Sequence, residues 1–177
     1  MTEEIPQNST EPMIDLERIE SLAKSNWSRN WNFRDHLLTL NSDVVDQKVF
    51  YWNKYFSDRV DCTKCANCCR QADVLLESDD LNRLSSALKI QEMELFDGLV
   101  GANERGDWQI CQKPCPLLKE NKCSIYLSRP TDCRSFPHLD LDGFVDRLEG
   151  VIESYRFCPI VFNVLEALIK DPELRSC

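Results

Sequence analysis

The sequence lacks the features that would assign it at once to several common classes. Its five glycines form neither a GxGxxG fingerprint nor a phosphate-binding loop, so a nucleotide site is not indicated. No stretch approaches the roughly 18 apolar residues of a membrane helix. The opening MTEEIPQNSTEP has neither the basic nor the apolar region of a signal peptide. We therefore expect a cytoplasmic protein without a membrane partner.

Positive charge and imidazole are also scarce. The 21 Lys and Arg residues are outnumbered by 30 Asp and Glu, which leaves a net charge of −9. Because nucleic-acid affinity comes largely from basic side chains that displace counterions, no nucleic-acid partner is expected. Only His36 and His138 supply imidazole, and His138, five residues after Cys133, is a weaker ligand candidate than the thiols.

A chain of 177 residues fits a single domain, within which composition distinguishes four segments. Residues 1–9 are expected to form a flexible tail and 10–60 a set of aromatic-rich helices. Residues 61–160 would be a cysteine-cluster metal-binding region, followed by a C-terminal helix and tail at 161–177. The predicted fold is mostly α, with an irregular cysteine-rich middle and at most a few short strands.

Apolar residues recur at helical spacing in several places. Ser42 is expected to cap a helix, Ser78 another, and Pro159 to occupy the first turn of the last. Between about 99 and 140 the pattern is interrupted, with strand-like pieces only at WQI and CSIY. Metal coordination is expected to hold that stretch together. The helix after Ser42 would bury a stripe of Val45, Val49, Trp52, Phe56 and Val60.

Aromatic side chains are concentrated in the first third of the chain. A ligand groove or a partner surface is one interpretation, but core packing is favoured because aromatic rings carry large burial energies. The residues are Trp27, Trp31, Phe33, Tyr51, Trp52, Tyr55 and Phe56.

Ten cysteines are the most informative feature of the sequence. In a reducing compartment they indicate metal ligands or redox chemistry more than disulfides or buried free thiols. The first four form the motif CxxCxxCC, in which each Cys-x-x-Cys pair can turn two sulfurs onto one metal. The ten are Cys62, Cys65, Cys68, Cys69, Cys111, Cys115, Cys123, Cys133, Cys158 and Cys177.

Two of these cysteines, Cys68 and Cys69, are adjacent. In extended backbone neighbouring side chains point to opposite faces. The pair is therefore expected to serve two separate metal positions, or to divide into one ligand and one supporting thiol.

The ordered series CTKCANCC, CPLL, CSIY, RPTDCRSFP and a later CP resembles the CxxCxxCC family of zinc- or iron-chelating cysteine-cluster proteins. The resemblance covers roughly residues 60–160. Cys111, Cys177 and the N-terminal helices lie outside it. It implies eight metal ligands, namely Cys62, Cys65, Cys68, Cys69, Cys115, Cys123, Cys133 and Cys158.

All-thiolate sites suit both tetrahedral zinc and iron-sulfur clusters, so the metal is left open. Arg129 and Arg134 bracket Cys133 and could donate hydrogen bonds to sulfur or offset the charge of the site. The alternative is that these arginines form salt bridges with the surplus carboxylates.

The main hypothesis is a protein that binds zinc or iron, with an iron-sulfur cluster included, through eight cysteine thiolates. One rival is an iron-sulfur redox or protein-modifying enzyme, because the cysteine motif is similar to one in flagellin lysine methylases. Another is metal storage or delivery. Thioredoxin-like chemistry lacks a βαβ unit, and the spacing of radical adenosylmethionine enzymes is absent. A metal ion is the expected partner, and a protein partner is left open.

Overall fold

Short helices dominate residues 11–175, the part of the chain that the computed structural model describes. This range contains nine α-helices and two small antiparallel sheets, which confirms the predicted mostly helical class. The expected tail at 1–9 and the thiol of Cys177 lie outside the described residues. No helix in the described range is both long and apolar enough to cross a bilayer.

The helices are α1 (Leu16–Ser25), α2 (Trp27–Leu37), α3 (Ser42–Ser57), α4 (Cys62–Cys65), α5 (Cys68–Gln71), α6 (Ser78–Leu88), α7 (Thr131–Ser135), α8 (Leu148–Tyr155) and α9 (Pro159–Lys170). The strands are β1 (Val100–Ala102), β2 (Trp108–Ile110), β3 (Leu118–Lys119) and β4 (Lys122–Cys123). Single 3-10 turns occupy Glu92–Phe96, Tyr126–Ser128 and Phe144–Arg147.

The described chain divides into two units. The helical unit comprises residues 11–60 and 142–175, and the cysteine unit comprises residues 61–141. The first boundary coincides with the start of the cysteine region expected from the sequence. Residues 142–160, which the sequence analysis grouped with that region, belong to the helical unit.

The helical unit is built around α9, which begins at Pro159 as predicted. Every residue from 159 to 165 is buried, and the helix packs against α3 and α8. The predicted stripe of α3 is buried at Val45, Val49 and Phe56. A side-chain amide ties the N-terminal segment to this core, since Asn163 accepts from the amide of Met13 at 2.9 Å and donates to its carbonyl at 2.8 Å.

Both predicted helix caps are wrong by one residue. Asn41 precedes α3 and its side chain accepts the amide of Asp43 at 2.8 Å, so Ser42 is the first helical residue. Glu77 precedes α6 in a capping box with Asp80, so Ser78 lies inside that helix. In each case the neighbouring residue also carries a side chain that can accept an amide, and it holds the extended backbone that a cap requires.

The prediction that the aromatic residues pack in the core holds for Phe56 alone. Trp27 is 46% exposed, and the other five are half-buried. They pack mostly on one another, as in the stack of Trp52 on Phe56, or against cations, as where Arg59 lies 3.7 Å from the ring of Tyr55. The core of the helical unit is mainly aliphatic instead.

The cysteine unit has a smaller core. Strand β1 pairs with β2 in the register Val100 to Ile110, and Leu75 adds a single bridge to Gln109. The strand expected at WQI is confirmed, whereas only Cys123 of CSIY lies in a strand. Eight buried apolar residues fill the core: Val74, Leu76, Leu81, Leu84, Leu95, Val100, Ile110 and Leu117. The half-buried thiols of Cys115, Cys123 and Cys133 pack against it.

Candidate metal centre

The first two cysteines lie on the single turn of α4. The carboxylate of Asp61 caps this turn by accepting the amide of Thr63 at 3.0 Å. Residues three apart on a helix share a face, so Cys62 and Cys65 lie side by side. Ala66 ends the turn in the left-handed conformation, with φ of 49°. The chain is thereby redirected toward the second pair.

Cys68 and Cys69 are the first two residues of α5, so the expectation of extended backbone at this pair is wrong. Successive side chains on a helix are about 100° apart instead of opposed, and both residues line the same cavity. The Cys68 thiol donates a hydrogen bond to the sulfur of Cys69, and with Arg70 nearby this lowers the pKa of Cys69 to about 7. The argument that the two thiols serve separate metal positions therefore loses its basis.

A tight hairpin places Cys115 and Cys123 beside this pair. The amide of Cys115 donates to the carbonyl of Cys69 at 2.8 Å. Strands β3 and β4 are joined through Glu120 and Asn121, both at positive φ as a two-residue hairpin turn requires. The register of this hairpin places Leu118 opposite Cys123.

Burial raises the pKa of both hairpin thiols, and backbone amides partly offset the effect. The amides of Leu117 and Leu118 donate to the sulfur of Cys115, and the amide of Ile125 donates to that of Cys123. Amides that point at sulfur stabilise thiolates and tune metal-sulfur sites. The backbone amides of this loop therefore favour the thiolate forms of Cys115 and Cys123.

Two carboxylates position α7, which carries Cys133. Asp80 is fully buried and accepts the amides of Glu77 at 3.0 Å and Thr131 at 2.9 Å, and it forms an ion pair with Arg83. The sequence indicates Asp80 as an acidic residue at the start of α6, but it gives no sign of the contact with Thr131. Together with the hydrogen bond from Arg83 to the hydroxyl of Thr131 at 2.7 Å, these bonds anchor the first turn of α7 on α6.

Asp132 anchors the same helix from its other side. Its carboxylate accepts the amide of Leu75 at 3.0 Å and lies 2.9 Å from the imidazole of His138. His138 thus contacts a carboxylate adjacent to a cysteine. Burial, followed by the charge of Asp132 and the neighbouring thiolates, raises the pKa of Cys133 to about 12.

Six cysteines line one cavity of about 480 Å³. Five of them are half-buried and interact with one another: Cys68 with Cys69 by a hydrogen bond, and the others by charge. We call these the inner thiols, namely Cys68, Cys69, Cys115, Cys123 and Cys133. The sixth is Cys62, whose thiol interacts with that of Cys65, and these two form the outer pair.

The donor set suits a thiophilic metal, because five clustered sulfurs with amide donors are what zinc and iron-sulfur sites use. Within residues 11–175, however, no three Cys, His, Asp or Glu side chains converge closely enough to coordinate one ion. The fit of these residues to a metal thus lies in the chemistry of their sulfur donors.

The remaining predicted cysteines lie elsewhere. Cys65 does not line the cavity. Cys158 belongs to the helical unit, where it is buried just before α9 and accepts the amide of Phe162 at 2.9 Å. Cys111 is exposed and is not part of the cavity lining, as expected for a thiol outside the motif series. No disulfide joins any two of the nine cysteines in the described range.

Both predicted arginines line the cavity. The charge of Arg129 favours the thiolate of Cys123, although burial still raises the pKa of that thiol. The guanidinium also lies 4.0 Å from the ring of Tyr126. Arg134 donates to the carbonyls of Leu127 at 3.0 Å and Arg129 at 2.9 Å. Neither arginine forms a salt bridge with another of the described residues.

A further arginine was missed in the sequence. Arg70 donates to the carbonyl of Cys65 at 2.9 Å and to the side chain of Asn121. It therefore connects the end of α4 to the turn of the β3–β4 hairpin. The only signal in the sequence was its position directly after CxxCxxCC.

Comparison with known proteins gives one family. The model described as "CxxCxxCC: Putative zinc- or iron-chelating domain" matches residues 61–159, which is more than half of the chain. The chain belongs to this family. No curated protein and no solved structure matches it. The family's description indicates chelation of zinc or iron and does not distinguish between the two metals.

Proposed function

We propose that the cysteine unit binds zinc or iron in the cavity through the inner thiols. The observation that carries this proposal is the gathering of five mutually interacting sulfurs around one cavity from three separate stretches of chain. Packing alone does not require such an arrangement, because buried free thiols behave as small apolar side chains.

The number of inner thiols allows a centre with more than one metal atom. A single zinc ion in a structural site takes four ligands, and five inner thiols line the cavity. The cavity of about 480 Å³ also has room for several atoms. Four of the five inner thiols would satisfy a four-iron cluster, which takes four cysteine ligands.

Basic groups at the cavity would offset the negative charge of such a centre. Lys122, Arg129 and Arg134 line it, and its two acidic residues have partners of their own: Asp73 pairs with Lys113, and Asp132 lies beside the imidazole of His138. Groups outside the ligand set tune a metal centre in this way. We assign Arg129 to offsetting charge at Cys123 and Arg134 to holding the loop that carries Arg129.

Contact of the outer pair with the metal also remains part of the proposal, as the family's cysteine pattern implies. The inner thiols hold the bound metal, and the outer pair binds it only in passing. A reducing, cytoplasmic location is proposed with it, because thiols persist there without forming disulfides. Neither extension is needed for binding at the inner thiols.

The test is anaerobic purification of the full chain, followed by absorption spectroscopy and metal analysis. Iron with sulfur-to-iron absorption at about 400 nm identifies an iron-sulfur centre, whereas a colourless protein with stoichiometric zinc identifies a zinc centre. Cys123→Ser should lose the metal, and the matched control Cys111→Ser should retain it, since Cys111 lies outside the cavity lining. A wild-type protein that carries neither metal would overturn the proposal.

A further inference from the structure

One member of the outer pair differs from the inner thiols in its exposure to solvent. Cys62 is exposed, whereas Cys65 and every inner thiol are half-buried. Among the cysteines of the described residues that line the cavity, Cys62 alone is exposed. It therefore borders both solvent and the cavity that the inner thiols line.

The outer pair also interacts within itself. The charge of Cys65 acts on Cys62, whereas Cys115, Cys123 and Cys133 are influenced by Cys69. Two sulfurs one helical turn apart can hold a metal ion together. Alone they leave a tetrahedral ion with two positions for other ligands. A two-thiol site of this kind suits transient binding better than permanent retention.

The connection between the outer pair and α5 is fixed. Ala66 and Asn67 are buried, with 4% and 7% of their surface exposed. Arg70 holds the carbonyl of Cys65 from the α5 side. These contacts fix α4 next to α5, so Cys62 stays in the lining of the cavity while it remains exposed.

We propose that Cys62 and Cys65 form a transfer pair, through which the metal enters and leaves the inner thiols; this rests on the proposed function. On departure, Cys62 and Cys65 would lose their protons and bond to one zinc or iron ion as its bonds to two inner sulfurs break, and the freed inner thiolates would take up those protons through water. An external chelating ligand would then replace Cys62 and Cys65, which would each take a proton from water. No electron is transferred in any step. The external partner is a small thiol or another chelating molecule with two or more donor atoms.

The experiment follows metal leaving the purified, metal-loaded full chain into a large excess of the chromogenic chelator pyridylazoresorcinol. Wild type is compared with the double variant Cys62→Ser, Cys65→Ser and with the exposed control Cys111→Ser. We expect the double variant to retain the wild-type amount of metal and to release it roughly tenfold more slowly, a change of about 1.4 kcal/mol in the release barrier. Removing an ordinary ligand would instead speed release.

Each other outcome has a distinct meaning. Faster release with lower metal content in the double variant would show that the outer pair is a permanent part of the coordination shell, and it would overturn the transfer pair while leaving the proposed function intact. Unchanged release would also overturn it. A wild-type protein without metal would remove the proposed function and the transfer pair together. Cys111→Ser should match wild type throughout.

Discussion

The helical unit and the cysteine unit are held together by different means. In the helical unit a single helix, α9, is buried along most of its length against α3 and α8. In the cysteine unit the longest helix is α6, β3 and β4 have two residues each, and three thiols adjoin a core of eight apolar residues. A core in a domain of about 80 residues rarely supplies more than 3–5 kcal/mol. We therefore expect the cysteine unit to depend on bound metal for its stability and the helical unit not to.

Removing the metal is the strongest way to test this difference. In a unit that folds only with its metal, the free energy of metal binding is also folding free energy, on the order of 10 kcal/mol for structural zinc. Chelation should therefore unfold residues 61–141. Hydrogen exchange measured by mass spectrometry should then show fast amides there and retained protection in α9. Restoring the metal should restore protection. Equal protection of the cysteine unit before and after chelation would show that its apolar core suffices.

A cavity made in the core of the helical unit should lower the stability of that unit and leave the metal content unchanged. Leu168 is fully buried on α9, and Leu168→Ala should cost about 2–5 kcal/mol in the free energy of unfolding. Leu38→Ala is the matched control, since Leu38 is 47% exposed and should change stability by less than about 1 kcal/mol. Urea unfolding measures both. Metal content should stay at the wild-type level in each variant, and its loss in Leu168→Ala would contradict the separation of the two units.

Asp80 offers a smaller change within the cysteine unit. Asp80→Asn removes the charge that pairs with Arg83 and leaves an amide among donors, which should cost about 2–3 kcal/mol. Because Asp80 holds the start of α7, metal retained by Cys133 and its neighbours should also decrease. The control is Asp79→Asn, which alters an exposed carboxylate one residue earlier. Equal metal content in the two variants would show that metal retention does not depend on the position of α7.

Sequence patterns predicted some parts of the molecule well because those parts depend on local order along the chain. Cysteine spacing identified the family, and the apolar runs after Ser42 and Pro159 identified α3 and α9. The adjacent thiols were misread because their separation depends on whether the backbone is helical or extended. The spacing CC is the same in both conformations, so it could not distinguish them.

The groups that position the centre were harder to predict because they act across long separations in sequence. Asp80 reaches Thr131, and Arg70 reaches Asn121, in each case about fifty residues away. Carboxylates and arginines are common on protein surfaces, so nothing in their local sequence marks these two as positioning groups. The prediction that the aromatic residues pack in the core failed for a related reason. The size of a ring predicts a large free-energy gain on burial, but it does not specify which face of a helix is covered.

The smallest expected effect concerns Tyr155, a buried residue of the helical unit. The hydroxyl of Tyr155 donates to Glu166 at 2.6 Å, and burial, followed by this hydrogen bond, raises the pKa of Tyr155 to about 12 from its ordinary value of 10.0. Since the folded protein favours the neutral phenol, its contribution to stability is complete below pH 10 and is lost as the pH rises toward 12. Tyr155→Phe should cost about 1 kcal/mol at pH 8.

Urea midpoints measured from pH 8 to pH 11 provide the test, because the gap between wild type and Tyr155→Phe should narrow above pH 10. Metal content should be the same in both proteins at pH 8, since this tyrosine belongs to the helical unit. A gap that stays constant with pH would show that Tyr155 contributes by packing alone. A narrowing gap would mean that the helical unit owes part of its stability to a buried hydrogen bond to a carboxylate, in contrast to the thiol chemistry on which the cysteine unit is proposed to depend.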